Sequence, residues 1–270
     1  MNIESLASWL RCPACLRLLE PIDALTLGCD TGHRYDVNKR GFVNLVSGGT
    51  KLIGDSAAML DARDRVLESG LYSPITDAVR SATAEIGGTS ILDAGAGTGH
   101  YLRAALESSA DARGLAMDLS AQAVSRAVRS SPRIDGLVAD TWRPLPVRDA
   151  VCEVILDVFA PRNLPEFHRA LAPGGSLLVV VPLPEHLAEL QGDAGMLAVP
   201  ADKSAEIADA ARPLFELRSR RAIHATIALT QAVAESLVGM GPSAHHTRSH
   251  GVTLPSEATL AVELLHFSRA

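Results

Sequence analysis

The segment Ile91-Leu92-Asp93-Ala94-Gly95-Ala96-Gly97-Thr98-Gly99 constrains this chain most, because an apolar strand runs into three glycines at alternate positions and then into a helix expected from Tyr101 to Ser109. Glycines so spaced let the backbone turn where other residues cannot, and let a ligand approach the main chain and the helix start. Around this loop the pattern alternates. Strands are predicted at Arg113 to Asp118, Gly136 to Asp140, Val151 to Phe159 and Ser176 to Pro182, with helices at Ala121 to Ser130 and Pro165 to Leu171. Alternation at this pace specifies βαβ units and a mostly parallel, doubly wound sheet of the α/β class. Helices starting at Asp55 and running from Ile75 to Ile86 precede it, and Phe215 to Leu229 and Thr259 to Phe267, flanking a helix from Gln231 to Met240, are expected to close it with an antiparallel edge pair.

A glycine triplet alone also fits an NAD-type Rossmann domain or a noncatalytic α/β domain. Here the spacing is G-x-G-x-G, with Asp93 two residues before Gly95, which differs from the dinucleotide G-x-G-x-x-G. It resembles the first motif of class I S-adenosylmethionine-dependent methyltransferases, whose sheet has seven strands. Asp118, at the end of the next strand, is placed to accept both ribose hydroxyls. Asp140 ends the third strand, where methyltransferases of this class contact adenine; it would take the exocyclic amine, with Trp142 to stack. Leu171-Ala172-Pro173-Gly174-Gly175 looks like the turn that follows the catalytic loop. A sulfonium methyl is already activated, so the protein must hold a nucleophile in line about 3 Å away. The acceptor is expected at the end of the fourth strand, at Asp157-Val158-Phe159-Ala160-Pro161-Arg162-Asn163. That run is not an N-P-P-Y signature, no cysteine pair suits cytosine-C5 chemistry, and Cys152 reads as core.

The first 33 residues hold Cys12-x-x-Cys15 and Cys29-x-x-x-His33. Three thiolates and an imidazole can close a tetrahedron around Zn²⁺ and leave no open position, so the expected ion is structural; a redox Cys-x-x-Cys is the competing reading. The linker Ser47-Gly48-Gly49-Thr50 marks an expected boundary between a zinc-binding domain, residues 1–48, and a methyltransferase domain, residues 49–270. So small a ribbon buries little surface, and metal would hold it folded. Its Arg34, Lys39 and Arg40, with Tyr35 and Phe42 nearby, suit phosphates and bases of an RNA loop, or else form a solvated face over an aromatic core. A net charge of −6 argues against a general nucleic-acid coat while permitting a local basic face. The chain shows no basic leader before an apolar stretch, and its longest apolar run, Ser176 to Leu183, is too short to span a bilayer, so a cytoplasmic protein with no membrane partner is expected.

Linked motifs then cover the whole chain. Cys29-Asp30-Thr31-Gly32-His33-Arg34-Tyr35-Asp36 with Arg40-Gly41-Phe42-Val43-Asn44-Leu45, Gly54-Asp55-Ser56-Ala57-Ala58-Met59 with Ala62-Arg63, Gly70-Leu71-Tyr72-Ser73-Pro74, Phe159-Ala160-Pro161, and Pro184-Glu185-His186-Leu187 with Glu189-Leu190 follow one another. This series resembles the 23S ribosomal RNA (guanine-N1)-methyltransferase family, including the tylosin-type macrolide-resistance methyltransferases. The resemblance implies zinc on Cys12, Cys15, Cys29 and His33, and S-adenosylmethionine contacts from Tyr72, Gly95, Gly97, Thr98, Gly99 and His186. It also implies guanine N1 in a hairpin loop of 23S rRNA as acceptor, with macrolide resistance as an associated outcome. Asp157 is the candidate to accept the N1 proton or to orient the base; His186 either touches the cofactor or caps a helix from Glu185 to Leu190. A small-molecule methyltransferase acting on natural products or quinones is the alternative. The sequence leaves oligomeric state open, a homodimer being one arrangement.

Overall fold

The computed structural model describes residues 2–46, 54–191, 196, 198–241 and 255–270. The linker that marked the expected boundary lies outside the described residues. The sequence patterns translate into a single sheet of eleven strands. Four short strands come from the N-terminal segment: β1 (Glu20–Asp23), β2 (Thr26–Gly28), β3 (Arg34–Asn38) and β4 (Phe42–Asn44). Seven follow: β5 (Ser90–Ala94), β6 (Arg113–Asp118), β7 (Ile134–Val138), β8 (Cys152–Val158), β9 (Leu171–Pro182), β10 (Phe215–Ala228) and β11 (Glu257–Arg269). Their spatial order is β1-β2-β3-β4-β7-β6-β5-β8-β9-β11-β10. From β4 to β9 neighbours run parallel, and β10 and β11 close one edge antiparallel, as the sequence pattern requires.

The helices α2 (Ala57–Glu68), α3 (Ser73–Ile86), α4 (His100–Leu106), α5 (Ala121–Ser130), α6 (Leu164–Ala170), α7 (Lys203–Ala211) and α8 (Gln231–Gly239) cover the two faces, and among the described residues no helix is long and apolar enough to cross a membrane. Capping explains where several begin. Ser56, Ser120 and Thr230 each accept a backbone N–H from the residue three further on, satisfying a donor the first turn cannot. β7 ends at Val138, two residues before the expected Asp140, because the Asp140 carboxylate accepts the Trp142 N–H and turns the chain. The helix expected over Glu185 to Leu190 shortens to one 3₁₀ turn at Ala188–Leu190, with Leu187 left-handed at φ 52°.

The N-terminal segment is not a ribbon alone. It opens on a helix, α1 (Ile3–Trp9), capped by the Asn2 side chain, where only strand-like pieces were expected. Seven residues show too little of the 3.6 period to be read against neighbouring turns. The segment then joins the main sheet through β4, whose Phe42, Val43 and Asn44 pair in parallel with Gly136, Leu137 and Val138. Leu6, Trp9, Leu10, Val43 and Leu45 share one buried cluster with Leu92, Leu115, Leu137, Leu145 and Val147 of the larger part. Trp9 is fully buried, donates its indole N–H to Asp135 on β7, and carries the Arg113 guanidinium 4.7 Å above its ring. Residues 2–46 and the larger part therefore complete each other's core.

This shared core predicts the outcome of truncating Trp9. Trp9→Ala removes a fully buried indole and its hydrogen bond, and should cost about 3–5 kcal/mol. Urea unfolding followed by circular dichroism is expected to show one transition shifted as a whole; an unchanged main transition with early loss of the N-terminal segment alone would contradict the shared core.

Candidate active site and metal cluster

A cavity of about 690 Å³ opens where the parallel strands finish, within the range that takes a cofactor-sized ligand. Its floor is the glycine loop, with Gly95, Gly97 and Gly99 at φ 85°, 52° and 81°. Each also stands where a Cβ would collide: Gly95 with the Ala160 methyl at 2.5 Å, Gly97 with the Arg63 guanidinium at 2.9 Å, Gly99 with Ala127 at 2.8 Å. The loop thus packs against the β8 exit on one side and α2 on another, and Thr98 lines the cavity between.

Asp118 ends β6 with one oxygen accepting the Gly97 N–H at 2.9 Å and the other the Ser120 N–H at 2.8 Å. A carboxylate has about four lone-pair sites, so both oxygens retain capacity for a diol. Burial raises the Asp118 pKa against the pull of those two N–H groups. Asp93 is buried deeper, at 1% exposure, with one oxygen lacking any hydrogen-bond partner. Burial first, then the Asp118 charge, pushes its pKa up to about 7. The buried Tyr101 hydroxyl, on the cavity wall, is likewise unpartnered. The orphaned Tyr101 hydroxyl and the Asp118 carboxylate line the cavity, whereas Asp93 does not and acts on it only as a buried group close enough to Asp118 to be raised by its charge. Such a wall suits a ligand with hydroxyls and a positive charge, and S-adenosylmethionine has both. Asp140 and the 61%-exposed Trp142 also line the cavity, at the β7 end.

The opposite wall is aromatic and apolar. Tyr72, buried at the start of α3, lies 6.3 Å from the Phe159 ring and 6.2 Å from His186, and Phe159 stacks on His186 at 5.8 Å. Burial lowers the His186 pKa to about 4, and its Nδ1 accepts the Ala261 N–H at 3.3 Å. The neutral ring therefore carries its proton on Nε2 as a donor. Arg63, paired with Asp55 at 2.6 Å, and Phe159 are among the cavity residues that the sequence offered only as parts of longer motifs. Tyr101, read only as the start of a helix, carries no motif that would have singled it out.

Asp157 does not line this cavity. It is fully buried, with one oxygen accepting from Arg162 at 2.9 Å and the other without a partner, and burial raises its pKa well above the carboxylate range. Alternation along β8 places it on the face opposite Leu156 and Val158, which pack towards α3 and α4. Cys152 is core, as expected, its thiol pushed up to about 12 by burial.

The four N-terminal ligands do come together. The ligand atoms of Cys12, Cys15, Cys29 and His33 all lie within 4.8 Å of one another, with Cys15 and Cys29 sulfurs 3.6 Å apart and His33 Nδ1 3.4 Å from Cys29 Sγ. Zn–S bonds near 2.3 Å in a tetrahedron put sulfurs roughly 3.8 Å apart, so the donor set fits that ion. Tyr35 and Thr31 hydroxyls stand 3.0–3.1 Å from the cysteine sulfurs. Register fixes where this cluster sits. Val37, Val43 and Leu137 align across β3, β4 and β7, and β3 runs antiparallel to β4, so it carries Arg34 and His33 towards the end at which the cavity opens. The turn bearing Lys39 and Arg40 lies at the other end, with Arg40 donating to Ser125 on α5. Arg34 therefore shares the cavity's end of the sheet, and Lys39 and Arg40 do not.

Comparison with known proteins agrees with this geometry. Residues 91–175 match the family model described as a methyltransferase domain. A solved complex between the Haloferax volcanii Trm112 methyltransferase activator and a methyltransferase contains a chain of the same fold, with 20% identity, 82% of this chain and 99% of that chain covered, and a TM-score of 0.51. A Micromonospora griseorubida relative with a provisional 23S rRNA (guanine-N1)-methyltransferase name is 40% identical over 96% of each chain. The 23S rRNA (guanine(748)-N(1))-methyltransferase of Streptomyces fradiae is 41% identical over 90% of this chain and 88% of its own. With a class I fold, a methyltransferase domain and relatives matched over most of their length, this chain belongs to the 23S rRNA (guanine-N1)-methyltransferase family.

Proposed function

We propose that this protein transfers a methyl group from S-adenosylmethionine to N1 of a guanine in a hairpin loop of 23S rRNA. The observation that carries the reading is the seating of Phe159-Ala160-Pro161, where the acceptor is expected, directly against Gly95 of the cofactor loop. Donor and acceptor halves of one cavity are thereby held at a fixed spacing, which is the main requirement of a reaction whose methyl group arrives already activated. Tyr72, Asp93, Gly95, Gly97, Thr98, Gly99, Asp118, Asp140 and His186 are assigned to the cofactor, with Asp118 on the ribose, Asp140 towards the adenine and Asp93 facing its positive charge. S-adenosylmethionine supplies the sulfonium methyl; the chain orients it, excludes water and positions the base.

Cys12, Cys15, Cys29 and His33 are assigned to one structural zinc ion, which does no chemistry. Arg34, beside it, is assigned to an RNA phosphate. The same loop would not reach the Lys39 and Arg40 turn at the far end of the sheet. For Asp157 the buried bond to Arg162 favours a fastener of the Phe159–Arg162 loop over a proton acceptor.

Three outcomes test these assignments. Primer extension across 23S rRNA should stop at one guanine only in cells containing the protein, since N1 methylation blocks the pairing edge, and Gly97→Asp should abolish both the stop and cofactor binding by calorimetry. Unmethylated rRNA beside rapid transfer to small-molecule acceptors would support the metabolite alternative instead. Elemental analysis should find one zinc per chain, lost in Cys29→Ser together with a lowered melting temperature of the whole chain. Asp157→Asn should keep turnover within about tenfold and leave the pH profile in place; a loss of roughly 10² or more with a flattened profile would identify a general base.

A further inference from the structure

Phe159 has a backbone conformation that a bulky residue seldom adopts. It follows the last residue of β8 at φ 55°, in the left-handed region, where side chains other than glycine are strained and where strain gathers at functional sites. Its neighbours fix it there. Its N–H donates to Val180 of β9 at 3.1 Å, and the next residue, Ala160, is packed against Gly95. The turn swings the ring into the cavity, where one face stacks on His186 at an interplanar angle of 21° and Tyr72 lies tilted at 53° with its ring centre 6.3 Å away. Phe159 is still 40% exposed. An aromatic surface is therefore held at the cavity mouth, covered on one side and open on the other.

What the open face takes follows from its position. The adenine end of the cofactor is assigned to Asp140 at β7, and β6 and β5 stand between β7 and β8, so three strand spacings, roughly 14 Å, separate it from Phe159. The ring cannot stack on that adenine. The cavity-lining residues next to it in the chain or in ring contact with it, Val158, Ala160, Pro161, Tyr72 and the neutral His186, carry no charge, which suits a flat heterocycle rather than an ionic group. We propose that the open face of Phe159 is the stacking platform for the target guanine, drawn out of its RNA loop, and that the left-handed turn serves to hold the ring beside the methyl donor. This rests on the rRNA substrate proposed above. A base must leave its stack for a cavity of this kind to reach its pairing edge, and an aromatic ring replaces part of the stacking lost.

The test uses the full chain with Phe159→Leu, Phe159→Trp and Phe159→Gly, an unmodified 23S rRNA transcript, and calorimetric binding of S-adenosylmethionine. Leu should lower kcat/KM for the transcript by about tenfold or more, while Trp keeps it within about threefold, as base stacking on aromatic residues would require. Cofactor Kd should stay within about twofold for both. Gly removes the ring and relieves the backbone at once, so it should melt no lower than wild type while losing methylation as Leu does. This separates loss of a platform from loss of fold. A Leu variant as active as wild type overturns the inference, as does a loss matched by weakened cofactor binding, which would place the ring on the sulfonium. Wild-type protein inactive on the transcript overturns the substrate reading and this inference with it; active wild type with active Phe159→Leu overturns this inference alone.

Discussion

The active-site geometry depends on one missing atom. Gly95 lies where a Cβ would stand 2.5 Å from the Ala160 methyl, less than any ordinary van der Waals separation, and its φ of 85° is closed to most other residues. The strand that ends in the cofactor loop and the strand that ends in the acceptor loop are neighbours in the sheet. Their loops can therefore touch, and the glycine lets them touch at backbone distance. Methyl transfer between two bound molecules is dominated by the cost of placing them, and here the spacing is set by covalent chain and sheet register rather than by a mobile side chain.

Around that contact the chain accepts electrostatic cost. Asp93 and Asp118 are both buried, and burial raises both, Asp93 to about 7 with the Asp118 charge adding to it. A folded protein gains nothing by burying two such groups, one of them with an unpartnered oxygen. The arrangement becomes reasonable when the binding partner brings the compensating positive charge. His186 solves the opposite problem: burial keeps it neutral, so it adds a hydrogen-bond donor to the wall without adding a second cation.

Much of this was legible in the sequence because it depends on local pattern. The glycine loop, Asp118 and Asp140 sit where strand ends put them, and the four metal ligands converge as their spacing required. What could not be read was decided by pairing between distant segments. Nothing local to Phe42-Val43-Asn44 announces that it will lie parallel to Gly136-Leu137-Val138, and that pairing sends Arg34 to one end of the sheet and Lys39 with Arg40 to the other. Asp157 shows the same limit on a smaller scale. It is one residue from Val158, which lines the cavity, but strands alternate, and that single step turns its carboxylate towards the other face and Arg162. The left-handed turn at Phe159 was invisible for a different reason, since a conformation enforced by packing against local preference leaves no mark in residue choice.

The β4–β7 pairing also changes how the metal cluster bears on function. A zinc-bound module on a flexible linker would recognise RNA independently and deliver it to the catalytic part by mass action. Here the module is the continuation of the same sheet and shares a core with it, so its orientation relative to the cleft is fixed before RNA arrives. On the proposed assignments, recognition by such a body would be a matter of shape: only an RNA whose backbone meets the cluster's edge while a loop base reaches the Phe159 ring would satisfy both at once. A metal ion held by the cluster would then matter to catalysis without taking part in it, because loosening the cluster would loosen β3 and β4. Those strands support the same row of residues, through Val43 and Leu137 to Met117 and Ala94, that ends at the cofactor loop.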